Sequence, residues 1–348
     1  MLCALLREHD LCPSGEMTLS LKLLAALASL APGDLDPVCI GDMAPHSAFT
    51  DIARAGGRLF CAYRESDSHA LGADGKIRVL VREEDSTWSS FALLERETVD
   101  LRDPKLSVTP EGELMLLLGG SHYVDRELKL RQNMVALLKP GAEAFGPLKA
   151  VEIDEAIRTD VDWLWRVTWH EGVGYGVVYQ AITGASGAHL VSTRDGLRYQ
   201  YISTLPITGE PNEVTLRFDR SGQMVALVRR EGEDAAAHFG SAQAPFTEWS
   251  FRELPERMGG PNLIQLPGGE WLAAYRRYRP NGQQTALALI KLNGSLQQLA
   301  VLESGGDTSY PGLLLEGDRL LLSYYSGHEE KTKVYFLDAP IAALLSRR

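Results

Sequence analysis

The sequence predicts an all-β fold, a six-bladed β-propeller preceded by a short N-terminal helical extension. Three observations carry that prediction. A unit of apolar strand, glycine turn and second apolar strand occurs six times, with its turn glycines at 57, 112, 172, 222, 269 and 317. A period near 50 residues suits four short antiparallel strands, the content of one propeller blade. Turn signals recur about every 8–12 residues without a sustained helical period. Glycine, at 33 of 348 residues, also exceeds its usual share of about 7%, as a chain full of tight turns requires. Two β-sandwiches would not produce this single period.

Taken in order, residues 1–37 form an extension and 38–348 the propeller. The apolar run Leu19–Ala31 is too short to span a bilayer as a helix, which takes about 20 residues. It reads either as a docked helix ended by Pro32-Gly33 or as a targeting segment starting at Met17. Both readings stay open, and with them a cytoplasmic or an exported location. Val38–Ile40 is expected to close the ring by pairing with the last blade. The six blades begin near His46, Leu101, Asp162, Pro211, Gly260 and Thr308.

The hairpin turns Thr193-Arg194-Asp195-Gly196-Leu197-Arg198-Tyr199 and Arg82-Glu83-Glu84-Asp85-Ser86-Thr87-Trp88 carry a second signal. In each, an Asp side chain can accept the turn's N–H groups while an aromatic fixes the hairpin to its blade; Gly196 supplies φ > 0 in the first. These turns are structural.

Composition excludes several functions. The 35 Lys and Arg against 46 Asp and Glu leave a net charge of −11, and no basic run offers a nucleic-acid face. Cys3, Cys12, Cys39 and Cys61 lack metal or disulfide-framework spacing. No Gly-rich phosphate loop follows a strand. No cofactor is expected, and metal-free chemistry is the simpler reading.

In a propeller the inner strands line the axis, and polar residues at their starts mark a ligand funnel. Those starts read His46-Ser47-Ala48-Phe49-Thr50-Asp51, Leu101-Arg102-Asp103-Pro104 and Asp162-Trp163-Leu164-Trp165-Arg166, then Pro211-Asn212-Glu213-Val214, Gly260-Pro261-Asn262-Leu263 and Thr308-Ser309-Tyr310-Pro311. Seven residues beyond three of the turn glycines stand Arg64, Arg229 and Arg276. Equivalent repeat positions share an axial height, so these guanidiniums either converge on a planar carboxylate or form separate ion pairs with acids such as Glu65 and Glu231. Trp163, Trp165 and Trp169 read as blade packing or as a sugar platform.

The six-fold period, the Asp-Gly-aromatic turns and the arginine placement resemble the sialidase-like glycosidases, with Asp-box turns. The resemblance covers roughly residues 40–338. It implies hydrolysis of a terminal acidic sugar, sialic or uronic, by an exo-acting enzyme. Asn212-Glu213-Val214-Thr215-Leu216 followed by Arg229 is similar to the family's Glu-then-Arg blade, which makes Glu213 the carboxylate activating a Tyr nucleophile. Ser309-Tyr310-Pro311-Gly312-Leu313 resembles the nucleophile blade and puts Tyr310 in that role. Arg229 and Arg276 become carboxylate clamps, and Asn212 and Asp103 further substrate contacts.

The chain departs from the family at blade one, where Pro45-His46-Ser47-Ala48 stands in place of Arg-Ile-Pro. Arg64, Arg102 or Arg166 would have to supply the missing guanidinium. Asp51, Asp67 or His69 would supply the acid/base. Two other readings remain: a carboxylate-pair glycosidase using Asp51 or Asp103 with Glu213, and a glycan-binding propeller without catalysis.

Overall fold

The computed structural model describes residues 35–180, 187–233 and 235–347. These form six antiparallel sheets whose innermost strands are His46–Ala55, Asp100–Val108, Asp162–His170, Pro211–Phe218, Met258–Gln265 and Thr308–Glu316. Each inner strand touches the inner strands of the two flanking blades, so the ring is closed. Val38–Gly41 pairs antiparallel with Lys333–Pro340 as the outer strand of blade six. The first and last described strands are thereby paired in one sheet. Blade three gains a fifth strand, Glu152–Ile153, parallel to Arg198–Thr204.

The turns follow from local chemistry. The six repeat glycines have φ between 61° and 92°, the left-handed region that only glycine enters at little cost. In the turn after Thr193, Asp195 Oδ1 accepts the N–H groups of Leu197 and Arg198, both at 2.9 Å. Tyr199 is then buried against Met115, Val135 and Val191. Trp88 packs edge-on against Phe336 at 5.1 Å, which pins the outer hairpin of blade one to blade six.

Between blades, alternate residues of facing sheets interdigitate. Val79 and Val81 of blade one meet Leu114, Leu116 and Leu118 of blade two, all with almost no exposure. Each such fully buried side chain stabilises the ring by about 1.5–3 kcal/mol. Among the described residues the one helix is Ile341–Leu345, and no helix is long and apolar enough to cross a membrane. The expected N-terminal helix or targeting run, residues 19–31, lies outside the described residues.

One feature of the inner strands prepares the site. Each has a register slip near its start: at Ala48/Asp51, Arg102/Lys105, Leu164/Val167, Pro211/Val214, Gly259/Asn262 and Ser309/Gly312. Phe49, Asp103, Gly260, Ser309 and Tyr310 take positive φ there. A bulge re-aims a side chain and releases it from the two-residue alternation. Six bulges at one axial height therefore gather side chains from different blades at one mouth of the ring.

Candidate active site

A cleft of about 280 Å³ lies at that mouth, with Tyr310, Glu213, Arg229, Asp103 and Asn212 in its lining. Tyr310, from the blade-six bulge, donates its hydroxyl to Glu213 Oε1 at 2.6 Å. Arg229 Nη1 donates both to Glu213 Oε2 at 2.6 Å and to the Tyr310 hydroxyl oxygen at 2.8 Å. The Gly260 N–H completes the carboxylate's shell at 2.8 Å from Oε2. Gly260 is obligatory twice over: its φ is +53°, and a Cβ would lie 2.6 Å from the Tyr310 ring.

The electrostatics of this triangle are one-sided. Burial alone would raise the Glu213 carboxyl, but the Arg229 charge and hydrogen bonds from Arg229, Tyr310 and Gly260 outweigh it and hold the group below the usual glutamate range. Burial pushes the Tyr310 phenol well above its ordinary value, against the pull of Arg229. The resting state is thus phenol beside carboxylate, with the Arg229 guanidinium hydrogen-bonded to both.

Arg276 reaches Tyr310 from blade five, its Cζ 5.0 Å from the ring centroid. Its hydrogen bonds are taken by its own chain. Nε donates to the Thr308 carbonyl at 2.7 Å, and Nη2 to Asp307 Oδ1 at 2.8 Å and the Tyr325 hydroxyl at 2.7 Å. The other Asp307 oxygen accepts from His46 Nε2 at 2.9 Å and His69 Nδ1 at 2.6 Å. Burial raises the Asp307 carboxyl, and the two histidine hydrogen bonds with the Arg276 charge more than reverse this, placing it well below the ordinary range. His46, His69 and Asp307 offer three potential metal-ligand atoms within 4.8 Å of one another; here the carboxylate oxygens are filled by N–H and O–H donors.

Other expected residues serve the scaffold. Arg64 is fully buried and donates to Asp100 Oδ1 at 2.7 and 3.0 Å and to the Ser68 carbonyl at 2.8 Å. It ties blade one to blade two and does not face the cleft, because an acid at the start of the next blade captures it. Arg166 and Asp51 capture each other at 2.8 Å, and the same Asp51 oxygen accepts the Leu106 N–H at 2.8 Å. Both are buried, so neither meets a ligand at the mouth. Asp67 holds its own loop through the Ala73 N–H at 2.9 Å. Arg102 does line the cleft, bonded to Asp100 at 3.1 Å. Arg229 also pairs with Glu231. His69 lines the rim, anchored on Asp307.

Several cleft residues escaped the sequence reading. Arg131, Ser121, Tyr123 and Tyr179 form part of its walls, and Trp163 lies under the Arg131 guanidinium at 5.2 Å. Arg131 stands on the third strand of blade two, Glu127–Leu138, paired across the hairpin with Leu114–Val124. Asp307 and Tyr325 carried a weak signal, flanking the Tyr310 strand and ending its partner.

No protein-family model and no curated protein matches the chain. Solved structures do. The chain is similar to a Dyadobacter fermentans protein of unknown function, with TM-score 0.75, 16% identity, and coverage of 89% of this chain and 100% of that one. It is also similar to Trypanosoma rangeli sialidase in complex with 2,3-difluorosialic acid, a covalent intermediate, with TM-score 0.67, 12% identity, and coverage of 91% and 61%. Streptococcus pneumoniae NanB sialidase gives TM-score 0.67, 9% identity, and coverage of 91% and 72%. The chain spans about three fifths of the trypanosomal chain's length. At these identities the likeness is one of fold: the chain has the sialidase-type six-bladed propeller.

Proposed function

We propose that this protein is a sialidase-like exo-glycosidase that removes a terminal acidic sugar, with Tyr310 as nucleophile. The observation that carries the reading is the Tyr310–Glu213–Arg229 triangle on the cleft wall. A phenol is a poor nucleophile until a base takes its proton. Glu213 is bonded to that proton, and its depressed basicity means the transfer occurs as the new bond forms rather than before it. The Tyr310 oxygen attacks the anomeric carbon and its proton passes to Glu213 Oε1. Arg229 stabilises charge on the phenol oxygen throughout.

The bond from the anomeric carbon to the leaving oxygen breaks, and Asp103 protonates that oxygen. Asp103 suits the role because it lines the cleft and, among the described residues, its carboxylate makes no hydrogen bond to the scaffold, whereas Asp51 does. Water then attacks the glycosyl-tyrosine with Asp103 as base, the sugar leaves as the free hemiacetal or hemiketal, and Glu213 returns the proton to Tyr310. A neutral phenol suits an anionic sugar, which would repel a carboxylate nucleophile. The covalent intermediate named for the trypanosomal neighbour is consistent with this two-step course. A cleft of about 280 Å³ is below the usual range of about 300–1,000 Å³ for drug-sized ligands and fits one terminal ring.

The test is a panel of aryl glycosides of sialic, uronic and neutral sugars given to the wild type and to Tyr310→Phe. The reading expects turnover of an acidic sugar by the wild type and its loss in Tyr310→Phe with binding retained. Unchanged turnover in the variant would instead support a carboxylate pair, and no hydrolysis by either protein would leave a glycan-binding propeller.

A further inference from the structure

We infer that the acidic group read by this cleft sits on a sugar carbon remote from the reacting one, as in a hexuronic acid, and that Arg131 receives it. The inference rests on the glycosidase reading above and decides between its two substrate classes.

The guanidiniums beside Tyr310 are already supplied with carboxylates. Arg276 is held by Thr308, Tyr325 and Asp307, and Asp307 is itself fixed from its other oxygen by His46 and His69. Arg229 is shared by Glu213 and Glu231. A sugar with a carboxylate on the reacting carbon, as in a 2-ulosonic acid, would have to bring that charge against Asp307 and displace it. Hydrogen bonds to charged groups contribute about 1.5–3 kcal/mol each, so displacing several of them opposes such binding strongly. Asp307 thus fills, from within the chain, the place a substrate carboxylate would otherwise take.

Across the ring the situation reverses. In a closed ring of six, blade two stands opposite blade five, so Arg131 faces the cleft from the side opposite Arg276. Its Nε and Nη1 are out of contact with solvent and have no hydrogen-bond partner. Among the described residues no acid lies within ion-pair distance of it. Ser121, paired with Arg131 across the two strands, also has a buried hydroxyl without a partner. Trp163 supports the guanidinium plane from below. Leaving such donors unmade costs about 1–3 kcal/mol each, and a carboxylate seated on the guanidinium edge made by Nε and Nη2 accepts two parallel N–H bonds and gives Nε its missing partner. A sugar whose anomeric carbon meets Tyr310 and whose carboxylate extends across the cleft satisfies both walls together. The carbon-5 carboxylate of a hexuronic acid meets that description.

The experiment is calorimetric titration of D-glucuronate, D-glucose and N-acetylneuraminate into wild type, Arg131→Met and Asp307→Asn, with circular dichroism confirming each fold. The inference expects wild type to bind glucuronate at least tenfold more tightly than glucose or N-acetylneuraminate, and Arg131→Met to lose that tenfold preference. In Asp307→Asn the penalty against N-acetylneuraminate should shrink; Asp307→Gly is the second variant if that protein fails to fold. Equal binding of glucuronate by wild type and Arg131→Met, preference of wild type for N-acetylneuraminate, or binding of neither acid would overturn it. Because the readout is binding, a protein that binds glucuronate through Arg131 without hydrolysing its aryl glycoside would refute the glycosidase reading and leave standing only the receipt of a hexuronic carboxylate by Arg131.

Discussion

Replacing Glu213 by Gln would remove the proposed base and keep the shape. The wild-type carboxylate accepts from Tyr310 at 2.6 Å, Arg229 at 2.6 Å and Gly260 at 2.8 Å. The amide can retain the Gly260 and one other contact but cannot take the phenol's proton. General-base contributions are about 10²–10⁴-fold. With the nucleophile left as a phenol, we expect kcat to fall by about 10³, or ~4 kcal/mol at 1.36 kcal/mol per tenfold. Breaking a buried ion pair costs about 3–5 kcal/mol, and the lower end applies because Arg229 keeps Glu231.

At roughly 2–4 °C per kcal/mol for a large domain, Tm should drop by about 6–12 °C. The assay is kcat/KM against pH on the best aryl glycoside, with a thermal melt alongside. If Glu213 acts as the proposed base it must be ionised, and since its folded pKa is depressed, wild-type activity should persist at neutral pH. It should be lost only as pH falls below the ordinary glutamate value of about 4.3. That limb should be absent from the variant's residual rate. A Glu213→Gln protein within tenfold of wild type, showing the same acid limb, would refute the assignment.

Two further outcomes follow from the same geometry. Gly260→Ala forces a side chain into φ +53° and against the Tyr310 ring; it should cost at least as much kcat as stability, and an unaltered kcat would show that the ring is free to shift. Lys105 is buried over Trp165 at 4.3 Å, and burial, then the Arg166 charge, pull its ammonium down to about 8. The unfolded chain holds that proton up to about pH 10.4. The wild type therefore bears the full cost of this buried charge below pH 8 and sheds it as pH rises from 8 to 10. Lys105→Met should be more stable than wild type at pH 7, by up to on the order of 3 kcal/mol, with the advantage shrinking by pH 10; urea melts at the two pH values check the sign.

The sequence made the architecture legible because a closed ring repeats its constraints. Each hairpin needs a residue at positive φ, so Gly57, Gly112, Gly172, Gly222, Gly269 and Gly317 mark the period. The blade starts at His46, Asp162, Pro211 and Thr308 coincide with observed inner strands, and those at Leu101 and Gly260 fall within one or two residues of them. Tyr310 and Glu213 were singled out by the resemblance of their segments to sialidase blades, and side-chain direction could not be read from the repeat. Arg64, Arg229 and Arg276 share a repeat position, and their paths diverge because each follows the nearest acid: Asp100, Glu213 and Asp307. Arg131 stands on the third strand of its blade, beyond the turn glycine and second strand that mark the period, so periodicity carried no signal for it. Asp307 was hidden for a different reason: a loop acid reads as solvated until two histidines and an arginine from other blades surround it.

The account stands or falls on whether the Tyr310 oxygen bonds to sugar carbon. Wild-type protein should be incubated with glycosyl fluorides of uronic and sialic acids bearing a second fluorine beside the anomeric carbon, which slows breakdown of the intermediate. It should then be digested and mapped by mass spectrometry. We predict one glycosyl unit added to the peptide containing Tyr310 and none in Tyr310→Phe. A label on Asp51, Asp103 or Glu213, or turnover of the matching aryl glycoside with no label at all, would contradict it.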